Sequence, residues 1–195
     1  MKAWTFSFVA LCCLFCLPGC RQGHDYAKHI KELDSLKVVT EQAIDYFMMV
    51  DSTACYEAYQ KEKDYRLFIE AHVGDTVARE TAEAMATFFS TEKALGDYLR
   101  MRPVWLSEAQ SVVGQVARLS ADLKNGSIGS SEAVEFIGSE KKHTEKIIEE
   151  LKMNTQLVRK HLDVYAKNLP VVEQVLKLHN AGILPAHNPP SLKES

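Results

Sequence analysis

Apolar residues recur along most of this chain at alternating spacings of three and four. This spacing is typical of amphipathic helices that pack lengthwise on one another. It occupies residues 33–50, 109–123 and 134–169, and the segment 76–100 adds an Ala- and Glu-rich stretch with one apolar face. No run with the two-residue period of a strand stands out. We therefore predict an all-α fold, an antiparallel bundle of four to five helices with one long, coiled-coil-like C-terminal helix. The predicted seam of that helix comprises Val134, Ile137, Lys141, Thr144, Ile148, Leu151, Thr155, Val158, Leu162, Tyr165 and Leu169.

Capping and helix-breaking residues predict where the helices begin and end. The stretch Asp51-Ser52-Thr53 offers caps for a break or restart of the first helix, and the Asn-Gly pair at 125–126 is expected to form a loop before the long helix. Pro103 is expected to separate the third helix from the fourth. Pro170 is expected to end the long helix, because the residue before a proline leaves the helical region easily. A short helix at 171–180 would then follow.

The N-terminal residues predict how the chain is targeted. Lys2 precedes an apolar stretch, 3–17, that is shorter than the roughly 20 residues of a membrane span. It ends in Leu17-Pro18-Gly19-Cys20, which resembles the lipobox of a bacterial lipoprotein. The resemblance implies cleavage between Gly19 and Cys20 and a covalent lipid on the Cys20 sulfur. A plain cleaved signal or an uncleaved anchor helix are the alternatives.

These features divide the chain into four predicted parts. Residues 1–19 are the lipoprotein signal peptide, 20–24 a tether, 25–181 the helical bundle and 182–195 an extended or disordered tail. A tether this short would hold the bundle close to the membrane.

Charge and cysteine content narrow the class of function. The formal net charge of −3 becomes −4 when Lys2 leaves with the signal, so the chain as a whole has no basic excess for nucleic acid or for anionic lipid head groups, and neither is a favoured partner. Three of the five cysteines lie in the predicted signal and Cys20 is predicted to be lipidated. Cys55 is then the one thiol left in the mature chain, and no intramolecular disulfide can form there. We expect Cys55 to be a small buried hydrophobe and not a nucleophile.

Glu140 and His143 form the sharpest enzymatic motif, an E-x-x-H that places both side chains on one helix face. Di-iron bundles need two such motifs and further glutamates, and a second one is not found. In the predicted register Lys141 and Thr144 occupy the seam, which leaves the E-x-x-H pair flanking it as a solvated charged face. We expect no catalytic residue, no metal and no cofactor beyond the lipid on Cys20. A metal-binding sensor or enzyme that uses this face is the alternative.

Polar residues interrupt the seam of the long helix at Lys141, Thr144 and Thr155. In coiled coils, polar seam residues specify register or partner. These three residues are therefore the predicted partner-binding positions; the alternative is that this end of the helix projects past the bundle into water. Trp105 is expected to cover one end of the core.

The residues that carry a further likeness include Ile30-x-x-Leu33-Asp34-Ser35-Leu36 and Leu119-x-x-Asp122-Leu123-Lys124-Asn125-Gly126. Through them the whole mature chain resembles uncharacterised helical lipoproteins from Bacteroidetes. The resemblance implies a lipid-anchored envelope protein with no known activity. In that phylum an acidic or Ser-Asp-rich segment after the lipid cysteine accompanies surface export, and residues 21–25 differ from that pattern. We expect a non-enzymatic scaffold or partner-binding module on the outer membrane, facing the periplasm, with a protein partner in the envelope. A carrier of a small apolar ligand is a further alternative.

Overall fold

The computed structural model describes residues 26–74 and 77–186, and every regular element in these ranges is an α-helix. The helices are α1 (Ala27–Met48), α2 (Ser52–His72), α3 (Arg79–Phe89), α4 (Thr91–Lys124) and α5 (Ser130–His179). The prediction of an all-α bundle with a long C-terminal helix is confirmed. The predicted signal peptide, the lipobox with Cys20 and most of the predicted tail lie outside the described residues.

The five helices form three rods that lie side by side. α1 and α2 follow one another along α5 and run in the same direction as it does. Arg159 of α5 donates a hydrogen bond to the Tyr46 hydroxyl of α1 at 3.2 Å, and further along both rods Tyr65 of α2 donates to Glu173 at 3.2 Å. The 50 residues of α5 make this third rod about 75 Å long.

The second rod in chain order consists of α3 followed by α4. It runs antiparallel to the other two rods. Ser120, near the end of α4, donates to Asp34 of α1 at 2.7 Å. Arg66 of α2 donates to Glu92, at the start of α4, at 2.8 Å. Each half of the molecule is therefore a bundle of three rods, and α5 passes unbroken through both halves.

The interruptions in the first two rods have different causes. Of the three candidate capping residues, Asp51 caps α2, because its carboxylate accepts hydrogen bonds from the backbone N–H groups of Thr53 and Ala54. Between α3 and α4, Ser90 keeps a helical backbone (φ −68°, ψ −16°) and donates its hydroxyl to the Thr87 carbonyl at 2.7 Å. The rod formed by α3 and α4 is therefore locally interrupted at Ser90 but does not change direction.

Pro103 and Pro170 lie inside α4 and α5, so the prediction that they end helices is wrong. A proline inside a helix costs about 3 kcal/mol through its missing N–H and its ring. Here buried apolar residues continue on both sides of each proline, as with Ala109 after Pro103 and Val172 after Pro170. Their burial offsets the local cost, and the predicted helix at 171–180 is the last part of α5.

Two clusters of buried apolar side chains hold the rods together. The larger joins α1, the start of α2, α4 and much of α5, and half-buried Trp105 covers it by packing edge-on against Phe47 at a centroid distance of 6.0 Å. The smaller cluster lies at the other end of the molecule. Its buried members are Tyr65, Met85, Phe88, Val172, Val175 and Leu176.

The predicted seams of residues 33–50 and 109–123 are buried or half-buried throughout, as expected. At the start of α5 the prediction is wrong at two positions, because Val134 and Lys141 are exposed. Ala133 and half-buried Glu140 face the bundle instead. The cause is the 3.6-residue turn of a straight α-helix, which drifts away from a strict seven-residue pattern.

Candidate functional site

An open groove of about 550 Å³ lies between α1 and α5, in the half of the bundle where α1 begins. Its floor is apolar and consists of Leu36, Val39 and Ile148. The volume lies within the roughly 300–1,000 Å³ of small-molecule sites. The remaining lining residues of this α1/α5 groove are Lys28, Lys31, Glu32, Ser35, Lys141, Glu145, Glu149 and Lys152.

The floor is formed where the apolar faces of two neighbouring helices diverge. Leu36 packs against the larger core cluster and Ile148 is 7% exposed, so both belong to the bundle interior. Val39 follows Leu36 by three positions and comes to the same side of α1, but 40% of its surface stays exposed. A ligand in the groove would cover this side chain, and apolar burial stabilises by about 25 cal/mol per Å².

The charges of the groove are segregated along its length. The Arg159–Tyr46 hydrogen bond fixes the register of α5 against α1, and Lys28 and Lys141 precede it by the same number of residues. These two lysines therefore lie at one level, and Lys31 follows about one turn later. We call Lys28, Lys31 and Lys141 the basic end. In the described part of the chain, none of the three takes part in an ion pair.

Beyond the basic end the charge changes sign. By the same register, Glu32 and Glu145 lie at one level in the middle of the groove, next to the apolar floor. Lys152 lies level with Val39 at the far end. Lys31 directly precedes the level of these two carboxylates, so the groove offers positive charge at its start, carboxylates between this charge and the apolar floor, and Lys152 at the far end.

The structure places the three predicted partner-binding residues differently. Lys141 is exposed at the basic end. Thr144 and Thr155 are fully buried, and their hydroxyls donate to the carbonyls of Glu140 at 2.6 Å and Leu151 at 2.8 Å. These two threonines cannot contact a partner in this conformation, and the prediction is revised to Lys141 alone.

The predicted E-x-x-H pair does not meet other ligands. Glu140 is half-buried, and its Oε2 atom has no hydrogen-bond partner among the described residues. His143 is exposed and lines a separate shallow groove between α4 and α5, together with Pro103 and Ser107. Over residues 26–74 and 77–186, no group of three or more His, Cys, Asp or Glu side chains is arranged to hold a metal ion.

A buried acid is the feature that sequence reasoning missed. Glu62 of α2 is fully buried, and one of its carboxylate oxygens accepts a hydrogen bond from the Thr91 hydroxyl of α4. Its other oxygen has no partner in the described part of the molecule. Burial raises the pKa of Glu62 to about 7, although the Thr91 hydrogen bond acts in the opposite direction. Its spacing from Ala58 and Tyr65 places it on the buried face of α2, which is the signal that could have revealed it.

Cys55 is fully buried in the larger core cluster, as expected for a small hydrophobic side chain. Burial raises the pKa of its thiol to about 11, and the nearby Asp51 carboxylate acts in the same direction. The thiolate that a nucleophile or metal ligand requires is therefore disfavoured.

Within the described residues, no helix is both long enough and apolar enough to span a membrane. Comparisons of the chain with protein-family models, curated proteins and solved structures found no match. Function is therefore inferred from the geometry of the α1/α5 groove.

Proposed function

We propose that the protein is a lipid-anchored, non-enzymatic binding module of the bacterial cell envelope and binds its partner or ligand in the α1/α5 groove. We further propose that it sits on the outer membrane and faces the periplasm, with the lipid on Cys20 as its anchor. The observation that carries the proposal is a groove with an apolar floor and an unpaired basic end. A site of this kind can bind and orient a molecule through its apolar floor and its charged lining.

The position of the groove, close to the proposed lipid anchor, supports a function at the membrane surface. α1 begins at Ala27, seven residues after Cys20, and Lys28 is the next residue. Seven extended residues reach at most about 25 Å. If Cys20 carries the lipid, the basic end lies within that distance of the membrane surface.

A photo-crosslinking residue placed in the groove tests where binding occurs. Val39 lines the groove and Val38 does not, although both are exposed valines on α1 (40% and 49%). In cells, we expect the crosslinker at position 39 to form a discrete adduct that mass spectrometry can identify, and the crosslinker at position 38 not to form it. No adduct from position 39, or the same adduct from both positions, would contradict the proposed site.

The anchor is tested separately with Cys20→Ser. We expect this variant to remain uncleaved and to lack the covalent lipid, which mass spectrometry of the intact protein measures directly. Cys16→Ser, a substitution within the predicted signal, is the matched control and should be processed normally. A Cys20→Ser protein that is cleaved after Gly19 and still held in the membrane would refute the anchor.

A further inference from the structure

We propose that the occupant of the α1/α5 groove is an anionic phospholipid of the membrane to which the protein is tethered. The head-group phosphate binds at the basic end, and one acyl chain lies along the floor. This inference rests on the proposed function and names the ligand class of the same site.

The basic end suits a phosphate group. Lysine ammonium groups bind phosphate as point charges, and three lysines from two helices line the groove here. No carboxylate of the described residues pairs with Lys28, Lys31 or Lys141, so their charge is available to a ligand. Each contact is partly exposed to solvent and is individually modest, which makes the cluster and not any single lysine the binding element.

The floor suits a hydrocarbon chain. From the level of Lys28 to the level of Val39 the groove runs about 17 Å along α1. The apolar floor of Ile148, Leu36 and Val39 occupies about the last 6 Å of this length, beyond the level of Glu32 and Glu145. Each buried methylene contributes about 0.8 kcal/mol, so a chain that follows the floor gains affinity along its length.

The order of charges favours one head group and one tail over other occupants. Glu32 and Glu145 beside the floor would repel a second anionic group, so the ligand should carry its negative charge at one end only. An acidic amphipathic helix carries charge along its whole length and would meet these carboxylates.

A second copy of the chain is also disfavoured by the order of charges. Two grooves that face each other in parallel would bring their basic ends together. Two antiparallel grooves would bring each basic end against Lys152 of the other copy. Like charges meet in both arrangements, at a cost in affinity.

The test measures lipid binding to the purified, full-length processed protein. Native mass spectrometry, after release from a neutral detergent, gives the fraction of protein that carries one added phosphatidylglycerol or one added phosphatidylcholine of equal chain length. We expect at least a tenfold preference for phosphatidylglycerol. Binding of neither lipid, or equal binding of both, would overturn the inference.

Two pairs of variants locate the lipid. The triple substitution Lys28→Ser, Lys31→Ser, Lys141→Ser should reduce the preference to within twofold, whereas a control triple substitution on α5 should retain it. The control replaces Lys160, Lys167 and Lys177, which are exposed and lie outside the groove.

In the second pair, Val39→Glu should lose both lipids and Val38→Glu should lose neither. Circular dichroism checks that each variant keeps its helical content, and exposed positions were chosen so that the fold survives. Unchanged preference in the basic-end variant, or equal effects at positions 38 and 39, would overturn the inference.

The inference that the ligand is a lipid and the proposal that the groove is the binding site can be refuted independently of each other. If the crosslinker at position 39 captures a protein and phosphatidylglycerol is not preferred, the lipid inference is wrong and the proposed binding groove stands. If position 39 captures nothing and no lipid binds, both are wrong.

Discussion

At the scale of single residues, the hydrogen bonds around Glu62 indicate whether its carboxyl group is protonated in the folded protein. The Thr91 hydroxyl has one hydrogen but lies within hydrogen-bond distance of both the Glu62 carboxyl group and the Phe88 carbonyl, the latter at 2.9 Å. A carbonyl can only accept. One hydroxyl hydrogen is therefore shared between two acceptors, so Thr91 offers an ionised Glu62 less than a full hydrogen bond, and burial favours the protonated carboxyl group.

The charges that face Glu62 act on its pKa in opposite directions, since Arg66 lowers it and Glu92 raises it, and burial remains the largest cause of the raised pKa. The nearby cation is Arg66 on the same helix, and its guanidinium donates to the Glu92 carboxylate at 2.8 Å and to the Phe89 carbonyl at 3.1 Å. Glu92 of α4 raises the pKa of Glu62 further, and α5 contributes the half-buried Tyr165, whose own pKa Glu62 raises. Neutral Glu62 is therefore the form that fits between the two core clusters.

We predict that Glu62 makes stability fall as the pH rises. Its pKa is about 7 in the fold against an ordinary 4.5, so between these values the unfolded chain has lost the proton and the native chain still holds it. Stability is complete below about pH 4.5 and is lost as the pH rises through about 7. The total loss is on the order of 3 kcal/mol. Glu62→Gln, which cannot ionise, should escape the loss, so its free energy of unfolding relative to wild type should rise by that amount from pH 4 to pH 8.

Denaturant unfolding at several pH values measures this difference. The matched control is Glu70→Gln, an exposed glutamate on the same helix, which should track the wild type throughout. A difference between Glu62→Gln and wild type that is constant from pH 4 to pH 8 would show that Glu62 is ionised in the fold.

Cys55 provides a second residue-scale prediction. Because its thiol is buried and its pKa is about 11, we expect no reaction with a thiol reagent at pH 8 while the protein is folded. Labelling followed by mass spectrometry should show modification only as fast as the chain unfolds, and rapid modification in denaturant. Fast labelling of the folded protein would mean that the start of α2 opens locally.

At the scale of helices, the sequence predicts what depends on periodicity and misses what depends on packing. The spacing of apolar residues gives the fold class, and the Asp51 cap gives one true boundary. The prediction that helices end at Pro103 and Pro170 is wrong because the cost of a proline inside a helix, about 3 kcal/mol, is outweighed by the burial of apolar side chains on both sides of it. Glu62 escapes notice because its residue type suggests a solvated face.

The candidate site shows the same limit. Its floor and its basic end combine residues of α1 and α5 that are more than a hundred positions apart. Only the register of the two helices, fixed by the Arg159–Tyr46 contact, brings Lys28 level with Lys141. Lys141 was predicted from the seam of α5, but no pattern within one helix could indicate the groove.

Replacement by alanine should stabilise the protein more at one helix glycine, Gly138, than at another, Gly96. Gly138 of α5 is exposed, and an added Cβ would meet nothing within 4 Å. Gly138→Ala should therefore raise the free energy of unfolding by about 1 kcal/mol, the helix-propensity difference. At Gly96 of α4 the same Cβ would lie 2.9 Å from the Tyr59 ring, so Gly96→Ala should lose most or all of that gain.

Thermal and denaturant unfolding of the two variants provide the comparison. Each alanine serves as the control for the other, because both glycines lie within long helices. Equal stabilisation at both positions would show that the Tyr59 ring moves aside at no cost.

At the scale of the whole molecule, α5 is the element that joins the two halves. It contributes Ile148 and Leu151 to the larger core cluster and Val172 and Leu176 to the smaller one. The α1/α5 groove lies in the half that would follow the tether. The far half, which holds the smaller cluster, lies at the other end of α5 from the groove.

The last prediction concerns that length. If α5 is continuous through Pro170, labels at Glu135 and Lys177, both exposed, should be separated by about 63 Å along the backbone. A proline kink shortens this by only about 1 Å, because few residues follow Pro170 before the second label. Pulsed electron spin resonance on the double-cysteine variant measures the distance, and buried Cys55 should remain unlabelled.

The control pair, Glu135 and Asp163, lies wholly before Pro170 and should give about 42 Å. Continuity predicts distance distributions of similar width for both pairs, because one rigid helix carries all the labels. If the control pair gives the expected distance but the Glu135–Lys177 distance is shorter or more broadly distributed, the helix has a hinge at Pro170. This is the position where the sequence alone predicted the helix to end. The far half would then not be held at a fixed distance from the groove.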